Sequence, residues 1–268
     1  MRLSTQFNSP TKSLKHMFSA ACLGAGLLMV QAASATTVQF QTVLGDIEVN
    51  LFDKGTPETV KNFLAYVNAN VYTNTIIHRS MSGFMVQGGG FKYTGELPMV
   101  AIPQIAKKVV NEPVYSNLRG TIAMAKLDTD ANSATNQWFF NLSNDNAPNL
   151  DKQNGGFTVF GQVIGGMEVV DSIAALNRFN MKTPFEAIPL RNYTTTDNIN
   201  KVPVTGDHLM LIENIVVLNA DPDTAASLNP TKNTLINKKD GGGGSMGLIS
   251  LLMLGVLALG RKSLLNRK

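Results

Sequence analysis

The sequence predicts a mostly β fold, a closed antiparallel barrel with helical plugs. Three observations predict it: short strand-like runs recur along the chain, glycine-containing turns separate many of them, and only two segments have helical periodicity. The part between residues 36 and 220 has the length of one domain and can bury a sizeable core. It contains no internal repeat.

The first elements are predicted to be a β-hairpin followed by a helix. Residues 37–43 and 46–52 alternate apolar and polar side chains around Gly45 and Asp46, which is the pattern of two paired strands. Pro57 suits the first turn of a helix, with Thr56 as its N-cap. The apolar residues that follow at helical spacing are Val60, Phe63, Leu64 and Val67.

The rest of the domain is predicted to consist of short strands and one more helix. The strand-like runs are residues 75–78, 85–87, 121–125, 138–142, 158–164 and, as the last strand, 209–218. A second helix is expected over residues 168–176. The connection 177–208 is long and contains three prolines, and connections of this kind are usually functional or mobile.

The formal net charge of +4 comes from the two ends of the chain. Of the 23 basic residues, three precede an apolar run near the start and four follow one at the end, whereas all 19 acidic residues lie between residues 36 and 240. That middle part has 16 basic residues and therefore a net charge of −3. The composition gives no reason to expect nucleic-acid binding.

Residues 1–35 are predicted to be a secretory signal peptide. A basic stretch leads into the apolar run 17–30, and Ala33, Ser34 and Ala35 provide small residues for cleavage after Ala35. The alternative is a membrane anchor, although the run is short for a span. Cys22, the only cysteine, lies in this run, so the mature protein would contain no thiol. That is compatible with an oxidising compartment.

The C-terminal part is predicted to be a spacer followed by a hydrophobic segment. Residues 221–245 are polar and end in a glycine tract, and residues 246–268 consist of an apolar run and a basic end. This order resembles the GlyGly-CTERM sorting signal of exported bacterial proteins. The resemblance implies cutting near the glycines by a rhomboid-type protease, then onward delivery. The alternative is a flexible linker and a short membrane anchor.

The most informative stretch is residues 78–91, HRSMSGFMVQGGGF. It places an arginine, two large apolar side chains and a glutamine on a short strand-turn-strand segment. It contains no nucleophile paired with a base, and the scattered carboxylates and three histidines of the chain lack the spacing of metal ligands. Chemistry here would depend on a fixed positive charge beside an apolar pocket.

Five sequence blocks provide a family context for this stretch. They occur in the order IHRSMSGFMVQGGGF, RGTIAMA, SATNQWFFNL, NLD and FTVFGQVIGGMEVVDSI. Together they resemble the cyclophilin-type peptidyl-prolyl cis-trans isomerases, with the greatest likeness to bacterial periplasmic cyclophilins, over residues 38–219. The resemblance implies an eight-stranded antiparallel barrel, closed and capped by two α-helices, and it implies no cofactor.

The resemblance also implies roles for individual residues. Arg79 matches the catalytic arginine, and Gln87 matches the glutamine that contacts the substrate backbone and orients that arginine. A surface ion pair and a structural strand amide are the alternatives for these two residues. His78 is expected to have a structural or pocket-edge role, because isomerisation needs neither an acid nor a base. The implied substrate-binding residues are Phe84, Met85, Phe139 and Leu150 in the proline pocket, Phe157 at its rim, His78 at its edge, and Ala125 and Lys126 at a strand end.

Several positions depart from the family pattern. Ser82 stands where a turn proline is common, so the turn loses that stiffening. Asn149 stands where many relatives have Trp or Phe beside the pocket, which puts strong cyclosporin binding in doubt. Phe157 replaces a His or Tyr, Trp138 takes a usual Phe position and is expected in the core, and only the main chain of Lys126 matches its strand end.

The sequence favours a monomeric prolyl isomerase that acts on proline-containing polypeptides and assists the folding of exported proteins. The alternative is a peptide-binding chaperone with little or no isomerase activity, and a third hypothesis is an enzyme used at the cell surface or outside the cell. The end segments predict processing by signal peptidase and by the rhomboid-type protease. The protein is therefore expected in the periplasm, tethered to the inner membrane before C-terminal processing and at the cell surface or secreted afterwards.

Overall fold

The computed structural model describes residues 36–220 and 228–236. The predicted signal peptide and the C-terminal segment 246–268 lie outside these residues. Within the described ranges, no helix has the length and apolar character needed to cross a membrane. The described residues all belong to the unit Ala32–Lys268, one of two units into which the contacts divide the chain.

The described part of the chain is mostly β. The strands are β1 (Thr37–Thr42), β2 (Gly45–Leu51), β3 (Thr75–Ile76), β4 (Arg79–Met81), β5 (Met85–Gly88), β6 (Phe91–Lys92), β7 (Val100–Ala101), β8 (Thr121–Met124), β9 (Trp138–Asn141), β10 (Val159–Gly165), β11 (Asn177–Phe179), β12 (Ile188–Leu190) and β13 (Leu211–Asn219). The α-helices are α1 (Pro57–Asn68), α2 (Ala147–Leu150), α3 (Met167–Ala175) and α4 (Thr195–Ile199). The predicted hairpin, both predicted helices and the last strand are confirmed, with ends shifted by one or two residues.

Eleven strands form one antiparallel sheet in the order β4-β5-β9-β8-β10-β2-β1-β13-β3-β6-β7. The predicted closed barrel of eight strands is not confirmed, since the order of paired strands ends at β4 and β7. The number of strands in the sheet differs from the predicted eight for two reasons. In place of the predicted strand 75–78, the structure has two short strands, β3 and β4, with Ile77 and His78 at the break between them. The short pair β6 and β7 adds two more strands.

The sheet is apolar on both faces in its central strands. Val86, Phe140 and Ile122 belong to the main core together with residues of β1, β2 and β13. Met85 and Phe139, their neighbours in the chain, belong to a second apolar cluster. Because successive side chains of a strand point to opposite faces, the second cluster lies on the outer face of the same strands. This outer face carries the candidate site.

The helix α1 begins where the sequence predicts, but a distant residue caps it. Thr56 occupies the N-cap position without a capping hydrogen bond from its side chain. Instead, the Glu112 carboxylate accepts hydrogen bonds from the Thr59 amide at 2.9 Å, the Thr59 hydroxyl at 2.7 Å and the Glu58 amide at 3.3 Å. The carboxylate thereby accepts hydrogen bonds from first-turn amides, which have no acceptor within the helix.

The long connection 177–208 is an ordered part of the fold. Its strands β11 and β12 pair as a hairpin, and Thr194 and Asp197 form a capping box at the start of α4. A third apolar cluster anchors it to the domain through residues such as Phe179, Ile188 and Leu209. The connection also packs beside β4, the strand that carries Arg79, because the Ser80 amide donates to the Ala187 carbonyl.

Residues 228–236, here called the strap, lie against the domain within the predicted spacer 221–245. The Ser116 amide donates to the Thr231 carbonyl and the Asn233 amide donates to the Val114 carbonyl, each at 2.9 Å. Lys232 and Tyr115 form an isolated antiparallel bridge between these two bonds. The strap thus extends the domain by a short paired segment.

Candidate active site

Arg79, Gln87 and Phe139 lie in one row across three neighbouring strands. Arg79 of β4 is paired with Gln87 of β5, and Gln87 is paired with Phe139 of β9. Directly opposite residues of an antiparallel pair have their Cβ atoms about 4.5–5.5 Å apart. The fold therefore places the predicted cation, amide and aromatic ring side by side on the outer face, with Ala123 of β8 next in the row.

A tight turn between β4 and β5 presents Phe84. The Phe84 amide donates to the Met81 carbonyl at 3.0 Å, and Gly83 has φ of +67°, a conformation in which a side chain would be strained. The Phe84 carbonyl accepts hydrogen bonds from the Leu142 amide at 3.0 Å and from Asn146 Nδ2 at 2.6 Å. Residues outside the turn therefore bond to it, at a position where Ser82 provides no proline stiffening.

The second apolar cluster brings together the residues predicted to bind the proline ring. Met85, Phe139 and Leu150 are fully buried in it, and Phe84 packs against it while half-buried. The Phe139 and Phe157 rings meet edge to face with centroids 5.8 Å apart. Phe157, predicted at the rim, is only 1% exposed, so its ring lies inside the cluster.

Arg79 is the cation of this site. Burial lowers the pKa of Arg79 below the ordinary value of a guanidinium, and the Glu186 carboxylate partly offsets that effect. A guanidinium stays charged at any physiological pH. One of its nitrogens, Nη2, lies 3.2 Å from Met81 Sδ. The half-buried position keeps the charge close to both the cluster and solvent.

Gln87 is held by a second glutamine. Its Nε2 donates to Gln137 Oε1 at 2.8 Å, and the side chain is buried. Its own Oε1 has no hydrogen-bond partner among the described residues. A buried acceptor of this kind is costly unless a bound group uses it. Gln87 Oε1 is therefore the acceptor of this row that no described residue uses.

His78 lies behind the row and is neutral. Burial, and then the adjacent positive charge of Arg79, lower the pKa of His78 to about 3. Its ring meets Phe91 edge to face with centroids 5.1 Å apart. A ring that is neutral near pH 7 adds no charge to the site.

The Lys126 side chain makes contacts near the site, in addition to the backbone at this strand end. Its Nζ donates to the Asn154 carbonyl at 2.7 Å and the Gly156 carbonyl at 2.5 Å, and it lies 4.8 Å from the centroid of the Phe157 ring. Burial lowers the pKa of Lys126 to about 8. The Ala125 amide donates to the Gln137 carbonyl, so that N–H is not available to a substrate.

Two residues near the row were missed by the sequence analysis. Gln137 stands in the quoted block SATNQWFFNL, and its place two residues before Phe139 was the available signal. Glu186 comes from the connection 177–208, where no local pattern marks it. The Ser80 amide donates to the Ala187 carbonyl at 2.9 Å, which brings Glu186 alongside Arg79. Within the described residues, no group of three or more His, Cys, Asp or Glu could hold a metal ion.

Fold and site together define a mostly β domain that offers a fixed charge beside an apolar cluster. The model of the family "Cyclophilin type peptidyl-prolyl cis-trans isomerase/CLD" matches residues 37–208. The chain belongs to this family.

Similar proteins include a peptidyl-prolyl cis-trans isomerase of Acinetobacter baylyi, 38% identical over 69% of this chain and 90% of that protein. Peptidyl-prolyl cis-trans isomerase B of Escherichia coli is 38% identical over 60% of this chain and 99% of that protein. A crystal structure of a Cryptosporidium parvum cyclophilin type isomerase, determined with the dipeptide Ala-Pro, is 23% identical, covers 68% of this chain and 99% of that chain, and has a TM-score of 0.49.

Proposed function

We propose that this chain catalyses cis-trans isomerisation of X–Pro peptide bonds at the row formed by Arg79, Gln87 and Phe139. The placement of these three side chains on paired strands is the observation that carries the proposal. The substrates are proline-containing segments of exported polypeptides, whose folding waits on slow X–Pro isomerisation.

The chemistry follows from the nature of the amide. Rotation about an X–Pro bond must overcome a barrier of roughly 18–20 kcal/mol, because conjugation gives the C–N bond partial double-bond character. In the twisted amide the prolyl nitrogen loses that conjugation and gains a lone pair. The Arg79 guanidinium donates a hydrogen bond to this nitrogen, which stabilises the transition state more than the planar ground state. No bond breaks, so no nucleophile is needed.

The remaining residues hold the substrate in place. The apolar cluster around Phe139, Met85 and Leu150 binds the proline ring by burial of apolar surface. Gln87 Oε1 accepts a hydrogen bond from the substrate backbone. The acyl side of the peptide then rotates while the ring stays fixed.

The test is a protease-coupled assay of the purified chain with an X–Pro tetrapeptide. We expect cis-to-trans conversion well above the uncatalysed rate. Calorimetry with the same peptide separates the alternative: binding without acceleration would favour the peptide-binding chaperone. If the protein neither binds the peptide nor accelerates its isomerisation, both functions are rejected.

We also propose that the sheet closes into an eight-stranded barrel through residues 75–81, taken as one interrupted strand. Support comes from β3 pairing with β13 and β4 pairing with β5. Between them the Ile77 amide donates to the Met210 carbonyl at 2.9 Å and the His78 amide to the Gln87 carbonyl at 3.2 Å. We expect these two amides to be as protected from hydrogen exchange as those of β3 and β4. Rapid exchange at both would contradict closure.

Finally, we propose that the protein works after export, with its C-terminal segment as a temporary membrane tether. Support comes from the small-residue site at Ala35 and from the glycine tract before the apolar run 246–260. Signal peptidase and a rhomboid-type protease are the proposed processing partners. The final location is the cell surface or the medium.

A further inference from the structure

The strap lies on the side of the domain that supports the apolar cluster. Leu228 packs against that cluster, and the Tyr115 ring of the cluster lies between Phe52 and the strap. The Phe52 and Tyr115 rings have centroids 4.7 Å apart, and Lys232 Nζ lies 4.2 Å from the Tyr115 centroid on the strap side. The strap therefore covers the outer surface of cluster residues as well as pairing with residues 114–116.

Asn233 connects the strap to the loop that carries the pocket. Its Nδ2 donates to the main-chain carbonyl of Asp151 at 2.8 Å, and its Oδ1 accepts from the Leu235 amide at 2.8 Å. Asp151 directly follows Leu150, a predicted pocket residue. One strap side chain thus bonds the backbone next to the pocket.

The Asp151 carboxylate links the same loop to residues 116–117. It accepts hydrogen bonds from the Ser116 hydroxyl at 2.5 Å, the Asn117 amide at 2.8 Å and Asn117 Nδ2 at 2.9 Å. Asn117 Nδ2 also lies 3.2 Å from the Phe157 carbonyl, and the Phe157 amide donates to the Leu150 carbonyl at 2.8 Å. Movement at Asp151 would therefore be transmitted to both pocket residues of this loop.

The far end of the strap reaches the loop again. The Ile236 side chain lies over Gly156, so closely that a Cβ at position 156 would be 3.2 Å from Ile236 Cδ1. The Gly156 carbonyl accepts the hydrogen bond from Lys126. The strap consequently contacts residues 150–157 near both ends.

We infer that the strap is a positioning element of the active site: through Asn233 it holds the loop 150–157 so that Leu150 and Phe157 keep their places in the proline pocket. This inference rests on the proposed isomerase function. Asn233 is a positioning residue because it contacts the loop and not the pocket itself. Residues 228–236 of the predicted spacer therefore contribute to substrate binding in this inference.

The test substitutes Asn233→Ala in the full chain, with the exposed neighbour Thr234→Ala as the matched control. Loss of one partly buried hydrogen bond to the loop should raise KM for an Ala-Ala-Pro-Phe tetrapeptide by about 3- to 10-fold and leave kcat nearly unchanged. Amide hydrogen exchange at residues 151–157 should quicken in this variant. Asn233→Asp, which keeps the acceptor for Leu235 but places a carboxylate against a carbonyl, should have the same effect.

The outcomes separate this inference from the proposed function. If the unsubstituted protein shows no turnover, the isomerase proposal fails. The strap is then judged by the calorimetric Kd of the same tetrapeptide and by exchange. Unchanged KM, Kd and exchange in both Asn233 variants would overturn the inference. Unchanged KM and Kd despite faster exchange would also overturn it, because the loop would then be loosened without affecting the pocket.

Discussion

Arg79 and His78 are neighbours in the chain, and burial affects their charges differently. Arg79 keeps its charge because the ordinary pKa of a guanidinium is far above physiological pH. His78 is kept neutral because burial and Arg79 lower the pKa of His78 to about 3. The site therefore has one fixed cation whose charge does not vary with pH in the physiological range.

We expect Arg79→Ala to reduce kcat/KM by about 100-fold or more, the effect of removing a donor aimed at a transition state. Arg79→Lys should also be impaired, because an ammonium lacks the planar fork of a guanidinium. Thermal unfolding should change little, since Arg79 is only half-buried. Arg178→Ala, at an exposed arginine on β11, is the control. Near-normal turnover of Arg79→Ala would refute the mechanism.

We expect the stability of the folded chain to depend on pH, because the pKa of His78 is lowered in the folded state. The unfolded chain takes up a proton near pH 6.5, whereas the folded chain does so only near pH 3. The unfolded state therefore binds more protons between these values, and the free energy of unfolding falls as pH falls through this window. Urea denaturation should show a shallower fall for His78→Gln than for the unsubstituted protein or His208→Gln. Equal slopes for all three would contradict the neutral assignment.

At the scale of elements, helix ends and the turns around the site depend on residues far away in sequence. Glu112, which caps α1, lies 53 residues after Thr59 in the sequence. Asn146, at the start of α2, holds the Phe84 turn across 62 positions. Such contacts align elements that local propensity alone would leave free to move relative to one another.

We expect Glu112→Ala to lower the free energy of unfolding by about 1–2 kcal/mol, the usual loss for a helix cap. The amides of Glu58 and Thr59 would lose their acceptor. Chemical denaturation of this variant and of Glu96→Ala, at an exposed acid in a loop, provides the comparison. Equal stability of the two variants would show that solvent replaces the cap at no cost.

We expect weak cyclosporin binding, because Asn149 on α2 is exposed and offers neither an aromatic surface nor an indole N–H. Asn149→Trp should tighten binding by about tenfold or more in calorimetry. Asn149→Leu restores apolar area without the donor and should gain less. Tight binding by the unsubstituted protein would show that this position does not control affinity.

At the scale of the whole molecule, the domain occupies the middle of a chain whose ends are predicted to be processed. The described domain holds the site, and the strap connects its surface to the beginning of the C-terminal region. Export and sorting would therefore leave the folded domain intact.

We expect the native protein to be cut after Ala35 and again within residues 241–245. Mass spectrometry of the protein from its own host measures both ends directly. Replacing the four glycines 241–244 by alanine should slow the second cut, because alanine favours helix over glycine by about 1 kcal/mol per residue. An intact C-terminus ending at Lys268 would favour the plain anchor instead.

The sequence by itself determined the class of the fold, the order of most elements and the identity of the row residues. Alternation in 37–52 and the motif around Arg79 are local signals, and a local signal can be read without knowing what packs against it. The same is true of the candidate pocket residues, whose order along the chain matches the family blocks.

Only the tertiary structure decided which residues support the site. Strands β5, β8 and β9 are buried on both faces, so their sequence could not tell the core side from the pocket side. Glu186 acts electrostatically on Arg79, and Asn233 bonds to Asp151, from segments whose sequences look like a loop and a spacer. Their roles arise from contacts across many residues, and the free energy of such contacts depends on distance in space, which local periodicity does not encode.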